Sequence, residues 1–227
     1  MKKLFLSIIF FLISNNTLFA HVEHYKEFNY IEYELFRNNV SIGYHKYDFI
    51  RDKDNLTVKS EVEFKITKLG IQLYKYFAES EENYKQNKFH SFSSNTLQNK
   101  KEKYVKILVN NEKKELLIDG SSYRGPTSID HIVGTWWNHE IVSAKAQISA
   151  ISGRVIEQTV TFLGKEDIKI GNKTYKTLKF NFKSSDKNLP DNKKLNTNIW
   201  YEQNTFLWVK AEFSKQGKWE YRLKDYK

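Results

Sequence analysis

The chain reads as an all-β protein: a strongly curved antiparallel meander or incomplete β-barrel, interrupted by a short loop and helix excursion. Three observations carry this expectation. Leu56, Val58, Ser60, Val62, Phe64 and Ile66 alternate with Thr57, Lys59, Glu61, Glu63, Lys65 and Thr67. That period of two puts one set on a dry face and the other on a wet one, as in antiparallel sheets. Turn-forming runs recur along the chain, which holds only two prolines and nine glycines. Tyr, Phe, Val, Ile and Thr, residues that suit a half-buried pleated surface, fill the intervals.

Taken in order, Asn38-Asn39 separates a strand ending near Arg37 from one starting near Val40, and Arg51 to Asn55 separates the next pair. Gln86 to Lys88, Asn99-Lys100 and Asn110 to Lys114 follow, then Gly171-Asn172, Glu202 to Asn204 and Gln216 to Lys218. Hairpin spacing of roughly 8–12 residues gives about ten to twelve strands. Further alternations run through Val105, Ile107 and Val109, through Leu178, Phe180 and Phe182, and through Leu207, Val209, Ala211 and Phe213. In the second strand Val40, Ile42 and Tyr44 share one parity, and Tyr47 and Phe49 the other. A regular strand forbids this, so a β-bulge is expected near His45-Lys46. Gly120 to Gly153 departs from the rhythm, with Pro126, a Gly134-Thr135-Trp136-Trp137-Asn138 run and a helix-tolerant Ala144-Lys145-Ala146-Gln147 stretch. Loops and one or two short helices are expected there. No low-complexity linker or repeat appears, so residues 21–227 are read as one β domain.

Residues 1–20 differ in kind. Lys2 and Lys3 precede an apolar run from Leu4 to Ile13, and Ala20 supplies a small residue. This is the layout of a secretory signal peptide with cleavage after Ala20, and it implies export to the periplasm. The run is shorter than the roughly 20 residues a bilayer-spanning helix needs. Cysteine is absent, which excludes disulfides, thiol catalysis, thiolate metal sites and a lipid-modified cysteine. The formal charge of +10 has two readings: attraction to phosphate-bearing headgroups in a peripheral envelope contact, or a composition simply rich in Lys and Asn. Nucleic acid is not an expected partner of an exported chain.

No Gly-x-Ser-x-Gly, Walker loop or His-Glu-x-x-His occurs, so no catalytic residue is assigned. His21 and His24 offer a terminal chelate only if a further histidine joins them, and the bland reading is a polar terminus. His131 and His139 stand eight residues apart, which fits no compact helical pair. No metal or cofactor is expected. Glu79, Glu81 and Glu82 make an acidic cluster that could do acid–base work, but at the end of a Tyr-rich strand they read first as a solvated strand end. The aromatic surplus is more informative. Tyr74, Tyr76, Trp136 and Trp137 are the candidate ligand-binding residues. On a concave sheet they would hold an acyl chain or other lipid-like amphiphile, with the excursion as cover. Trp208 and Trp219 are expected to serve the core. The leading function is non-catalytic binding of a hydrophobic or amphiphilic envelope molecule. A structural or protein-interaction module using exposed sheet edges comes second, and an enzyme of unrecognised type third.

Ile42-Gly43-Tyr44-His45, the Thr67-Lys68-Leu69-Gly70-Ile71 passage into Tyr74-Lys75-Tyr76, Thr135-Trp136-Trp137-Asn138, and Trp200-Tyr201 with Gly217 fall in an order that spans most of the chain. In this the chain resembles a family of uncharacterised exported bacterial proteins, a domain-of-unknown-function group. The resemblance implies an incomplete β-barrel similar in shape to periplasmic lipoprotein carriers, and it brings no established activity to carry over. Where members often carry Trp after the acidic strand end, this chain has Glu82-Asn83-Tyr84.

Overall fold

The computed structural model describes residues 25–227; the segment 1–20 expected to be a signal peptide, with His21 and His24, lies outside them. Eight strands run in succession: β1 (Tyr30–Arg37), β2 (Val40–Asp52), β3 (Asn55–Lys68), β4 (Ile71–Lys85), β5 (Lys88–Gln98), β6 (Lys101–Asn110), β7 (Glu115–Gly120) and β8 (Arg124–Ser128). Seven more follow: β9 (Ile132–Val133), β10 (Ala146–Ile148), β11 (Val155–Ile170), β12 (Lys173–Ser184), β13 (Asn196–Glu202), β14 (Trp208–Ser214) and β15 (Lys218–Tyr226). They form one curled sheet in the order β8-β7-β6-β5-β4-β3-β2-β1-β15-β14-β13-β12-β11-β10-β9. Two meanders thus meet where β1 pairs with β15. Among the described residues β9–β10 is the parallel pair and the other neighbours are antiparallel.

The turns fall where the residue types place them. Asn38, Asn39, Gln86, Asn87 and Asn99 all take positive φ, a conformation Asn tolerates better than most side chains and one that matches the twist of a two-residue hairpin. The excursion is more ordered than expected. It contributes β8, β9 and β10, which brings the described strands to fifteen. Its helical content is a single 3-10 turn, His139–Val142, capped by the Asn138 side chain. The helix-tolerant stretch at Ala144–Gln147 leads instead into β10. Burial of Ala144, Ala146 and Ile148, with Gln147 Nε2 donating to Gln158 Oε1 at 2.6 Å, outweighs a weak local preference.

The bulge in β2 also sits elsewhere. Against β1 the register slips between Leu35↔Gly43 and Phe36↔Ser41, so Ile42 is the extra residue. From Gly43 to Asp48 the pairing is regular. His45, Tyr47 and Phe49 share the inner face, and Tyr44 points outward, its hydroxyl on Glu61.

A single sheet layer must bury its inner face on itself. Here β1–β4 and β12–β15 close around one large aromatic and aliphatic core that includes Tyr33, Tyr47, Trp137, Trp200 and Trp208. A smaller core packs Phe92, Val105, Ile107, Leu116 and Ile118 of β5–β7 against Val133 and Ile148 of β9–β10. Side-chain packing, rather than a continuous ladder, therefore closes the curl.

Close approach of β2 to β3 depends on Gly43. A Cβ there would lie 2.0 Å from the Glu63 carbonyl oxygen and 2.6 Å from Phe64 Cα. Gly43→Ala is expected to destabilise by about 3 kcal/mol, because backbone on both sides must give. Gly171→Ala meets nothing within 4 Å and faces only its positive φ of 57°, a cost of about 1 kcal/mol. Urea unfolding midpoints check the pair; equal losses would show that strand contact at Gly43 is not the constraint.

Candidate ligand cavity

The interior is filled from one end only. At the level of Tyr47 and Tyr201 the excursion passes through the middle of the curl. Tyr47 Oη donates to Thr135 O at 2.6 Å and Tyr201 Oη to Trp136 O at 2.8 Å. Trp137 Nε1 donates to Glu82 Oε2 at 3.0 Å. Trp136 takes a positive φ of 63°, and the two indoles go different ways. Trp136 stands edge-on to Trp208 and Tyr221 at 5.5 and 5.9 Å. Trp137, 1% exposed, packs edge-on to Tyr25, Phe49 and Tyr84.

Beside this plug lies a cavity of about 670 Å³, within the size range of small-molecule sites. Tyr74, Tyr76 and Trp136 line it; Trp137 does not. The excursion is accordingly a pinned inner wall and not a loose cover. The rest of the aromatic wall comes from Tyr47, Phe64, Phe213, Trp219 and Tyr221. Trp219 belongs with the cavity residues as well as the core. Phe64 ties the wall together, stacked on Tyr76 at 4.7 Å and edge-on to Trp219 at 5.2 Å. These residues follow from strand parity: each shares the inner face with a residue of the expected dry set.

One side of the cavity is polar. Ser60, Ser80 and Ser94 are in direct register across β3, β4 and β5. Ser60 and Ser80 share a hydrogen bond of 2.8 Å, and Ser94 Oγ donates to Ala150 O. Thr96 and Gln98 continue the strip toward the mouth, where Arg37 and Lys215 also line the cavity. Desolvation, then the charges of Arg154 and Lys103, push the Lys215 amine below its usual range. Arg37 and Lys215 thus bring cations from two turns to the open end, with Arg154 and Lys103 near enough to Lys215 to repel it.

Two titratable groups stand at the inner wall. His45 lies among Tyr33, Tyr47, Trp208 and Tyr221, with ring centroids 4.3–6.3 Å away. His45 lines the cavity while both ring nitrogens are shielded and lack a partner among the described residues. Desolvation pushes its pKa down to about 3, so the ring is neutral at physiological pH. Glu82 corrects the expected solvated strand end: Glu79 and Glu81 keep solvent contact, but Glu82 shares the inner parity of β4 and is buried. Desolvation raises its pKa to about 7 against donors from Tyr84, Trp137 and Thr135. The other described histidines make no cluster. His90 is exposed on β5, His131 hydrogen-bonds Thr127, and His139 stacks on Phe206. Among the described residues no group of His, Asp and Glu could hold a metal ion.

A curled, incompletely closed antiparallel sheet with an internal cavity defines a β-barrel-like protein. The chain belongs to the family described as Domain of unknown function (DUF6134), whose profile matches residues 33–224. It is also similar to a solved structure, a β-barrel-like protein of domain of unknown function DUF1849 from Brucella abortus. The TM-score is 0.59 at 10% identity, over 87% of this chain and 96% of that one. At that identity the likeness concerns the fold alone. No curated protein matches.

Glu82 and His45 pull stability in opposite directions with pH. The Glu82 carboxyl binds its proton more tightly folded, near 7, than at its ordinary 4.5. Its contribution is full below about pH 4.5 and is lost as pH rises through about 7. The His45 imidazole binds its proton less tightly folded, so its contribution is present above about pH 6.5 and lost as pH falls toward 3. Glu82→Gln is therefore expected to gain about 3 kcal/mol relative to the parent between about pH 4.5 and 8. Urea unfolding across that range checks it; a parent–variant difference independent of pH would refute the assignment.

Proposed function

We propose that the protein is a non-catalytic binder of a hydrophobic or amphiphilic envelope molecule, taken into the open end of the curled sheet in the periplasm. The observation that carries this reading is the cavity itself, aromatic on one side and hydroxyl-lined on the other. Such a surface receives an apolar body and leaves partners for a polar group. The wall beneath it is rigidly held, since two tyrosine hydroxyls and a buried carboxylate pin the plug. Space is thus preserved in the absence of a guest, which lowers the ordering cost of binding. The periplasmic part of the proposal rests on the leader pattern of Lys2, Lys3, the Leu4 to Ile13 run and Ala20.

Ala78 faces the cavity between Val62 and Thr96 in register. Ala78→Trp is expected to fill the space and reduce uptake of a fluorescent fatty acid or lysophospholipid at least tenfold, on protein shown to be folded. Trp136→Ala should weaken uptake, whereas Trp137→Ala should first lower stability, by about 3–5 kcal/mol. Fluorescence titration and thermal unfolding together check the set. A parent protein that takes up neither probe saturably, or an Ala78→Trp variant that binds as the parent does, would overturn the proposal.

A further inference from the structure

The β3–β4 hairpin outruns its neighbours. Its ladder continues to Lys68↔Ile71, while β2 pairs with β3 only as far as Gly43↔Phe64. On the other side β5 pairs with β4 only as far as Tyr76↔Gln98. Residues 65–75 therefore form a two-stranded finger about 13 Å long beyond the flanking ladders. An isolated two-stranded ribbon is marginal in water and is normally polar at its tip.

This one is not. Leu69 is 93% exposed, Ile71 66% and Leu73 56%. Leu69 takes a positive φ of 51°, a conformation costly for Leu and cheaper for Asn or Gly. The hairpin turns at Asn38-Asn39, Gln86-Asn87, Asn99 and Gln216 place polar side chains at the equivalent strained position. The chain thus carries both backbone strain and apolar exposure at a single tip.

The surroundings supply charge. The finger holds Lys65, Lys68 and Lys75 and no acid between residues 65 and 75. Lys65 and Lys75 stand directly opposite one another, with Glu63 as their common counterion at 3.2 and 4.0 Å. Lys100 and Lys101 lie on the next turn, which is tied to the finger by Asn99 Oδ1 accepting from Lys75 N. The cavity opens on this same end of the sheet. Ile66, Leu73 and Tyr74 of the finger line it, as do Gln98 and Lys215 from the adjoining turns.

We propose that this end of the molecule docks on a bilayer surface bearing anionic lipid. Leu69 and Ile71 enter the headgroup–acyl boundary, and the flanking lysines meet lipid phosphates. Each lysine near an anionic surface raises affinity about fivefold, and burying two apolar side chains adds to it. The finger lets the protein rest with its cavity mouth against the membrane. This goes beyond amphiphile binding and does not require it: docking is measured on intact vesicles, uptake on free probe without vesicles.

The chain has no cysteine, so one introduced residue reports one place. Gln72→Cys, carrying an environment-sensitive fluorophore, keeps Leu69 and Ile71. Lys113→Cys serves as the reference on the β6–β7 turn at the opposite end. On phosphatidylglycerol-containing vesicles the position-72 probe is expected to shift to the blue and to be quenched by brominated acyl chains. The position-113 probe should do neither. Phosphatidylcholine vesicles or raised salt should reduce the response at least tenfold, as should Leu69→Asp with Ile71→Asp. The tip is solvated, so thermal unfolding of that variant should match the parent. The proposal is overturned if position 72 stays in water on anionic vesicles. It is equally overturned if position 113 responds as strongly, or if the folded double variant docks unchanged.

Discussion

Three hydrogen bonds hold the interior together: Tyr47 and Tyr201 to the carbonyls of Thr135 and Trp136, and the Trp137 indole to Glu82. A sheet one layer thick has no partner layer to cover its inner face. It must curl, and the curl must be filled. The excursion between β8 and β11 fills it, and its backbone carbonyls would be buried without partners were the two tyrosines absent. Their hydroxyls arrive from opposite meanders, one from β2 and one from β13, so the plug also staples the two halves of the sheet. The cavity is what remains above the plug.

Glu82 sets the electrostatic character of this arrangement. A carboxylate that accepts three hydrogen bonds in a dry site is well satisfied in geometry and poorly satisfied in charge, which is why its proton affinity rises. His45, across the same interior, resolves the conflict the other way and stays neutral. The inner wall is therefore close to uncharged near pH 6, while cations are confined to the mouth.

Much of the scaffold was legible in the sequence, because strand parity and turn chemistry are local. The alternation over Leu56–Ile66 placed Val58, Val62 and Phe64 on the buried face, and the Asn-rich turns marked the hairpin ends. Tyr74, Tyr76 and Trp136 were drawn from a crowded aromatic set, and they share one cavity. What was not legible depended on neighbours distant in sequence. Which of the adjacent Trp136 and Trp137 lines the cavity is set by a backbone angle that no composition signals. The bulge at Ile42 is defined by its pairing to β1, so aromatic parity within β2 pointed three residues too far on. Glu82 looks like its neighbours Glu79 and Glu81 until β4 is given a face. The cavity wall of Phe213, Trp219 and Tyr221 exists only because β15 returns to β1.

That return has a consequence for how the chain finds its structure. Apart from the plug, each meander is built from hairpins between successive strands, contacts that cost little loop entropy and form quickly. The β1–β15 ladder is of another kind: the Lys224 to Glu32 ion pair across it spans 192 residues of sequence. Two half-sheets, each with an unpaired inner edge and an exposed aromatic face, must meet before either is buried. Topology of this sort slows folding and leaves sticky intermediates. The step that completes the sheet is therefore the one at which the chain is most vulnerable to association with other chains, and the one at which a holding chaperone would act to best effect.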